Sequence, residues 1–321
     1  MKKFLSTILL ISLTACVFAG PNLLNKEQYG ANSITDLSFE LSSEDLEIKE
    51  TYDTSSIEVE IYCNYKKYAP SVYVSGSTLY IESARKGLSY FSDPTGLSCT
   101  VIVYIPQKKD FRDISIKITS GDIDIDRSLS AKDRIKLETT SGDINAESGL
   151  FADEIVISST SGDIELYNID ADNFKTNTTS GDIEIEKFTG GSGSVQSTSG
   201  DIKLEDFATE YANFESLSGG ISVKKLDCDY FDAKSSSGGI TLELINEPIA
   251  TSSAECSSSD LSIYLPMRAK FTIEASCSSG SFRDKFNNNR FTPRGGYEMN
   301  YNGGGTVIKL RSTSGDITLD Y

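Results

Sequence analysis

The chain has 321 residues, enough for two or three ordinary domains or one elongated repeat structure, and its 38% hydrophobic content with 25 Gly, 16 Tyr, 15 Phe and only 7 Pro is that of a folded β-rich protein. Its 47 acidic against 30 basic residues leave a formal charge of −17, spread along the chain, which excludes nucleic acid as a partner because phosphate binding depends on Lys and Arg. The chain contains no His, which removes Ser-His-Asp and Cys-His catalysis, His-ligated zinc and the commonest general base; the absence of Trp weakens a sugar-stacking platform, although Tyr could substitute.

Residues 1–19 read as a signal segment: Lys2 and Lys3 form a charged start, and Phe4 to Leu13 an apolar run too short to span a bilayer as a helix. Export from the cytoplasm is therefore expected. Leu13-Thr14-Ala15-Cys16 resembles a bacterial lipobox, which makes Cys16 the expected lipid-attachment residue and the protein a membrane-anchored envelope lipoprotein. Two or more acyl chains hold a protein stably on a membrane. The competing cut falls after Ala19, where Val17 and Ala19 supply small residues, and gives a periplasmic or secreted protein instead.

Residues 20–105 form an N-terminal β region, with alternating runs such as Ser56-Ile57-Glu58-Val59-Glu60-Ile61 and Cys99-Thr100-Val101-Ile102-Val103-Tyr104-Ile105. Within it Ser43-Glu44-Asp45-Leu46 looks like an eroded copy of the repeat that follows, so this region is expected both to begin the stack and to cap it. Cys63 and Cys99 lie here and can bridge.

From residue 106 to 321 the sequence is dominated by one repeat. Ser-Gly recurs at Ser120, Ser141, Ser161, Ser180, Ser199, Ser218 and Ser237, at intervals of 21, 20, 19, 19, 19 and 19, with weaker copies at Ser258 and Ser279 and a last strong one at Ser314. Three and five residues after each serine the side chains are apolar (Ile123 and Ile125, Ile164 and Leu166, Ile317 and Leu319), the period-2 signature of a strand with one buried face. A second alternating stretch leads into each serine, as in Ile135 and Leu137. A unit of about 19 residues with two short strands cannot bury its apolar face alone, but units stacked ~4.8 Å apart can. The expected fold is all-β: a parallel β-solenoid of rungs of about 19–21 residues, with a β-sandwich as the alternative, and with an Asn- and Gly-rich insertion at 281–305 folding over its side or tip.

The repeat columns suggest roles. Gly is assigned to a corner needing φ > 0, and Ser with the preceding Thr to hydroxyl ladders between rungs. Two residues before the serine, Thr139, Ser159, Thr178, Ser197, Ser216, Ser235, Cys256 and Cys277 form a small interior column. Cys256 and Cys277 are thereby placed one rung apart, within disulfide reach; burial as free thiols is the alternative. With five cysteines besides Cys16, at least one stays unpaired within the chain.

Asp122, Asp143, Asp163, Asp182 and Asp201 fill one column in consecutive copies, interrupted afterwards by Gly220 and Gly239. Turn aspartates that accept backbone N–H bonds are the plain reading; a row of Ca²⁺ sites between rungs is the sharper one. No other cofactor is indicated. Parallel β-helices can also be carbohydrate-active enzymes built on clustered Asp, but here the aspartates repeat regularly and no irregular pair of acids interrupts them, so no enzymatic activity is expected.

These columns, with Val-Tyr-Ile-Pro at 103 to 106, Ile-Tyr-Leu-Pro at 263 to 266 and Gly-Gly-Gly ahead of the final Ser-Gly-Asp-Ile, resemble the bacterial putative-adhesin family of SGDI β-strand repeats (domain of unknown function 4097). The resemblance covers residues 35 to 321 and implies a solenoid fold in an envelope setting, with no catalytic or binding residues to carry over. The expectation is a non-enzymatic envelope protein, anchored to the membrane, that contacts a surface polymer or partner protein; the rivals are a structural or stress-related envelope component without a ligand, and a carbohydrate-active β-helix.

Overall fold

The computed structural model describes residues 22–84, 96–292 and 296–321, and its regular structure there is strand apart from two short 3-10 turns at Ala31–Ser33 and Lys66–Tyr68. The signal segment and Cys16 lie outside the described residues. Successive copies of the repeat pair in parallel and in register: Ile164, Ile183, Ile202, Ile221 and Ile240 form one ladder, and Leu166, Ile185, Leu204, Val223 and Leu242 the next. Both ladders are buried. The fold is a parallel β-solenoid, and the sandwich alternative is ruled out by this unbroken parallel stack. Pairing lapses at Tyr167 and Asp172 divide the long strand Ile164–Thr178 into three straight segments, so each turn of the coil has three sides plus the Ser-Gly corner.

Core volume is conserved rung by rung, not column by column. Ile169, Phe188, Phe207 and Leu226 stack in one column, and Phe174, Gly193, Ala212 and Phe231 in the column facing them. Where the first column carries Phe, the second carries Gly or Ala. A Cβ on Gly193 would stand 2.5 Å from a ring carbon of Phe207 and 2.8 Å from one of Phe188, so the two rings occupy the space that Gly193 vacates. The rings of Phe174, Phe188 and Phe207 follow one another at 5.1 and 4.7 Å. Close packing of this kind makes every methylene count.

Chain order and stack order part company at both ends. At the C-terminal end the strands Ser252–Cys256 and Leu261–Tyr264 do not pair with the next copy in sequence, Phe271–Cys277 and Phe282–Asp284. The final copy, Thr306–Ser312 and Ile317–Asp320, inserts between them and pairs in parallel with both. At the N-terminal end the first copy, Asp36–Leu41 and Asp45–Thr51, lies between the strands Phe111–Ile118 and Ile123–Ile125 on one side and the later-synthesised segments Thr78–Glu82 and Cys99–Pro106 on the other. Asp36 ties this rung to the next by a bidentate pairing with Arg112, Nε and Nη2 to the two carboxylate oxygens at 2.9 and 2.8 Å.

Each end closes in the same way, with antiparallel strands laid on the outermost rung. Ser71–Ser75 and Ser56–Cys63 cover the N-terminal end, followed by Asn22–Gly30. Asn289–Phe291 and Tyr297–Tyr301, from the 281–305 insertion, cover the C-terminal end. The insertion thus closes the tip. Its rings build an aromatic lid: Tyr301 stacks on Phe271 at 4.7 Å, while Phe282 meets Phe291 at 5.6 Å and Tyr297 at 5.4 Å. Beneath the lid the fully buried Asp284 accepts hydrogen bonds from Tyr301 Oη (2.9 Å) and Asn287 Nδ2 (2.8 Å), which offset the cost of burying a carboxylate.

Candidate functional site

The corner is built differently from the expectation. None of the Ser-Gly corner glycines has a positive φ; among the described residues the glycines that do are Gly76, Gly96, Gly296, Gly303 and Gly304, which lie outside the repeat column. The corner needs Gly because the backbones touch along the axis: a Cβ on Gly142 would lie 1.9 Å from the carbonyl oxygen of Gly121, and one on Gly162 would lie 1.8 Å from that of Gly142. Steric access, not backbone freedom, sets the column. Glu44 occupies the glycine position of the first rung, with Ser83 Oγ donating to its carboxylate at 2.6 Å.

The hydroxyls that join rungs belong to the buried column two residues before the serine, while the serines and preceding threonines, such as Ser161 and Thr160, face solvent. Thr139, Ser159, Thr178 and Ser197 each accept the N–H of their own corner glycine, at 3.0, 2.8, 3.1 and 2.9 Å. Each also donates to the glycine carbonyl one rung back, for example Ser159 to Gly142 at 3.4 Å. Cys256 extends the column with its thiol on the Gly238 carbonyl, 3.2 Å away.

The aspartate column is a second inter-rung tie. Oδ1 of Asp122 accepts the backbone N–H of Asp143 at 2.9 Å, and the same bond repeats from Asp163 to Asp143 (2.8 Å), Asp182 to Asp163 (2.7 Å), Asp201 to Asp182 (2.8 Å) and Gly220 to Asp201 (2.8 Å). Asp45 precedes the row and Asp260 resumes it, holding the Asp316 N–H at 2.9 Å. These extensions follow from stack order and are hidden in chain order. Hydrogen bonding between rungs offsets the mutual repulsion of the column's carboxylates. Among the described residues no group of three or more His, Cys, Asp or Glu side chains gathers as a cation site.

Cys63 and Cys99 face each other across the antiparallel pairing of Ser56–Cys63 with Cys99–Pro106 and form a disulfide. Cys256 and Cys277 are free buried thiols, as is Cys228. Cys256 and Cys277 are not one rung apart as their sequence column places them: Ser312 pairs with both, so they lie two rungs apart, about 9.6 Å, beyond disulfide range, and of the two readings left open they take that of buried free thiols. Burial pushes the Cys228 thiol up to about 12.

An open groove of about 1020 Å³ with room for a ligand runs along the first side of the coil, after the aspartate corner. Outward-facing positions of successive rungs line it, Asn145, Glu165, Glu184 and Lys203 standing in register. Seven carboxylates (Asp143, Glu147, Glu165, Glu184, Glu186, Glu205, Asp206) face three lysines (Lys187, Lys203, Lys225) there. Lys203 pairs with Glu184 at 3.4 Å, and Lys224, just outside, with Glu205 at 2.6 Å; Coulombic attraction to Glu184 and the hydrogen bond to Glu205 hold the respective ammonium groups above their ordinary range. Among the described residues Glu147, Glu165 and Glu186 have no ion-pair partner. Tyr167, 51% exposed, offers a ring in the middle of this acidic wall. Only Asp143 of the expected site residues lines the groove; the others were missed because each rung contributes an ordinary exposed Glu or Lys, and only stacking collects them.

Stacked Ser-Gly-Asp-Ile corners, hydroxyl and carboxylate ladders and antiparallel caps define a repeat solenoid with an open acidic groove along one side. The chain belongs to the family described as Toastrack DUF4097, whose model matches residues 34–204 and again 147–320. Solved structures similar to it include a "putative cell adhesion protein" from Clostridium sporogenes, at 11% identity over 94% of this chain and 99% of that one, with a TM-score of 0.26. A "putative adhesin" from Parabacteroides distasonis is 11% identical over 92% and 96% of the two chains, with a TM-score of 0.44, and a "putative lipid binding protein" from the same organism is 14% identical over 95% and 98%, with a TM-score of 0.40. No curated protein matches the chain.

Proposed function

We propose that the protein is a non-enzymatic component of the bacterial cell envelope, anchored through a lipidated Cys16, that uses its acidic groove to hold a partner bearing positive charge on a facing polymer or protein. The observation that carries this reading is the groove itself: seven carboxylates against three lysines on a wall held rigid by ladders on every rung, with an exposed Tyr167 among them. Rigid presentation lowers the ordering cost of binding. The Lys2-Lys3 start, short apolar run and Leu13-Thr14-Ala15-Cys16 sequence support the anchoring. The absence of His and the regular placement of the aspartates support a binding role in place of catalysis.

Binding of labelled cells and extracellular matrix to purified protein tests it, with wild type compared to Glu165→Lys/Glu186→Lys. Saturable binding that falls at least about tenfold in the double variant is expected, since reversing two groove charges turns attraction into repulsion. Equal binding by both proteins overturns the groove as the contact face, and depolymerisation of any glycan in a substrate screen overturns the non-enzymatic reading.

A further inference from the structure

The N-terminal end of the solenoid carries exposed apolar side chains beside exposed lysines. Leu23 and Leu24, at the start of the outermost strand, are 48% and 37% exposed, and Tyr65 is 41% exposed. Asn22 pairs with Cys63, so this strand start lies beside the Cys63–Cys99 disulfide and the turn that follows it, where Tyr65, Lys66 and Lys67 are exposed in succession. Lys67 also lies over the Tyr68 ring at 5.5 Å. Lys26, the lysine of the Asn22–Gly30 strand, is committed to Glu58 and Glu60 at 2.6 and 2.9 Å, which leaves Lys66 and Lys67 of the turn as the cationic pair of the patch. A pair of lysines flanked by exposed Leu and Tyr, on a chain of net charge −17, is a local reversal of the protein's field.

The geometry points to a lipid surface as the occupant. We infer that the N-terminal end, through Leu23, Leu24, Tyr65, Lys66 and Lys67, rests on the anionic membrane to which Cys16 is attached, with the solenoid axis directed away from it. This rests on the anchoring proposed above. Five residues lie between Cys16 and Asn22, so the strand start stays within about 20 Å of the acylated cysteine, six residue steps away. The stack of rungs is more than twice as long as that tether, since each rung adds about 4.8 Å. Apolar side chains insert at the headgroup boundary, lysines meet lipid phosphates, and the acidic sides of the coil are repelled from the same surface. The groove is then carried clear of the bilayer.

The test uses full-length protein in vesicles of phosphatidylethanolamine and phosphatidylglycerol, with an environment-sensitive dye on Leu24→Cys or, at the opposite cap, Glu298→Cys. The remaining thiols are buried, disulfide-bonded or acylated. Brominated lipid is expected to quench the dye at residue 24 by at least twofold and leave the dye at residue 298 unchanged. Acylated protein whose two positions respond alike overturns this orientation while leaving the anchoring intact. Protein that is not acylated overturns the anchoring, and the patch is then judged on the Cys16→Ala chain: vesicle binding that falls roughly twenty-five-fold in Lys66→Gln/Lys67→Gln, about fivefold per lysine, supports it, and equal binding overturns it.

Discussion

Gly181 lies so close over Gly162 that a methyl group on it would stand 2.0 Å from the Gly162 carbonyl oxygen. That oxygen also receives the Thr178 hydroxyl at 3.3 Å, so it is not free to move away. Gly181→Ala is expected to cost about 3 kcal/mol by overpacking. Gly76 is the contrast: its φ is +63° and nothing lies within 4 Å of an added Cβ, so Gly76→Asn, which tolerates the left-handed region, is expected to cost under about 1 kcal/mol. Urea denaturation of both variants separates a corner limited by space from one limited by conformation; equal losses contradict the account.

The inserted last rung predicts an unequal response to truncation. Ending the chain after Gly304 removes the partner shared by Ser252–Cys256 and Phe271–Cys277. Limited proteolysis is expected to release residues 266–304, whose parallel neighbour is gone, while 252–264, still paired with 232–243, stays with the protected 111–244. Persistence of 271–301 as a resistant part of the core contradicts the stack order.

Gly193 and Phe207 are expected to be energetically coupled. Gly193→Ala is expected to cost about 2 kcal/mol because its methyl meets the Phe207 ring at 2.5 Å, and Phe207→Leu about 1.5 kcal/mol. The double variant is expected to be at least about 1 kcal/mol more stable than their sum, which a double-mutant cycle reads directly. Additivity contradicts the filling of the space at Gly193 by the Phe207 ring of the next rung.

In the aspartate ladder, Asp163→Asn keeps an oxygen for the Asp182 N–H and relieves repulsion, and is expected to change stability by less than about 0.5 kcal/mol. Asp163→Ala loses the bond and is expected to cost about 1 kcal/mol. Calcium at millimolar concentration is expected to move the melting temperature by less than about a degree. A rise of several degrees in wild type, absent from Asp163→Asn, contradicts a purely structural ladder.

Thiol titration checks the cysteine assignment. The Cys16→Ala protein is expected to show no reactive thiol when folded at pH 8, because burial holds the Cys228 thiol up at about 12 and Cys256 and Cys277 are buried too, and three thiols after denaturation without reductant. One thiol in place of three means that Cys256 and Cys277 are bridged after all.

The repeat was legible in the sequence because one apolar column, Ile164 to Ile240, is maintained through every regular copy, and parallel stacking follows from it. The corner glycines were read correctly as obligatory but for the wrong cause, since a sequence shows that Gly is required and not whether φ or a neighbouring carbonyl requires it. Which hydroxyls tie the rungs depends on which face is buried: Thr178 faces inward while Thr179 and Ser180 face solvent. The displaced rung at 306–320 was illegible because order along the chain is a poor guide to order in a stack once a long insertion intervenes. The groove escaped notice for a related reason: Glu165 and Glu186 are unremarkable within their own copies and become a surface only side by side.

The proposed place of the protein in the cell depends on its being held at the envelope by Cys16. Labelling of expressing cells with a palmitate analogue, wild type against Cys16→Ala, is the most direct measurement. The account predicts label on the wild-type chain and none on the variant; an unlabelled wild-type chain contradicts it and leaves a soluble exported solenoid.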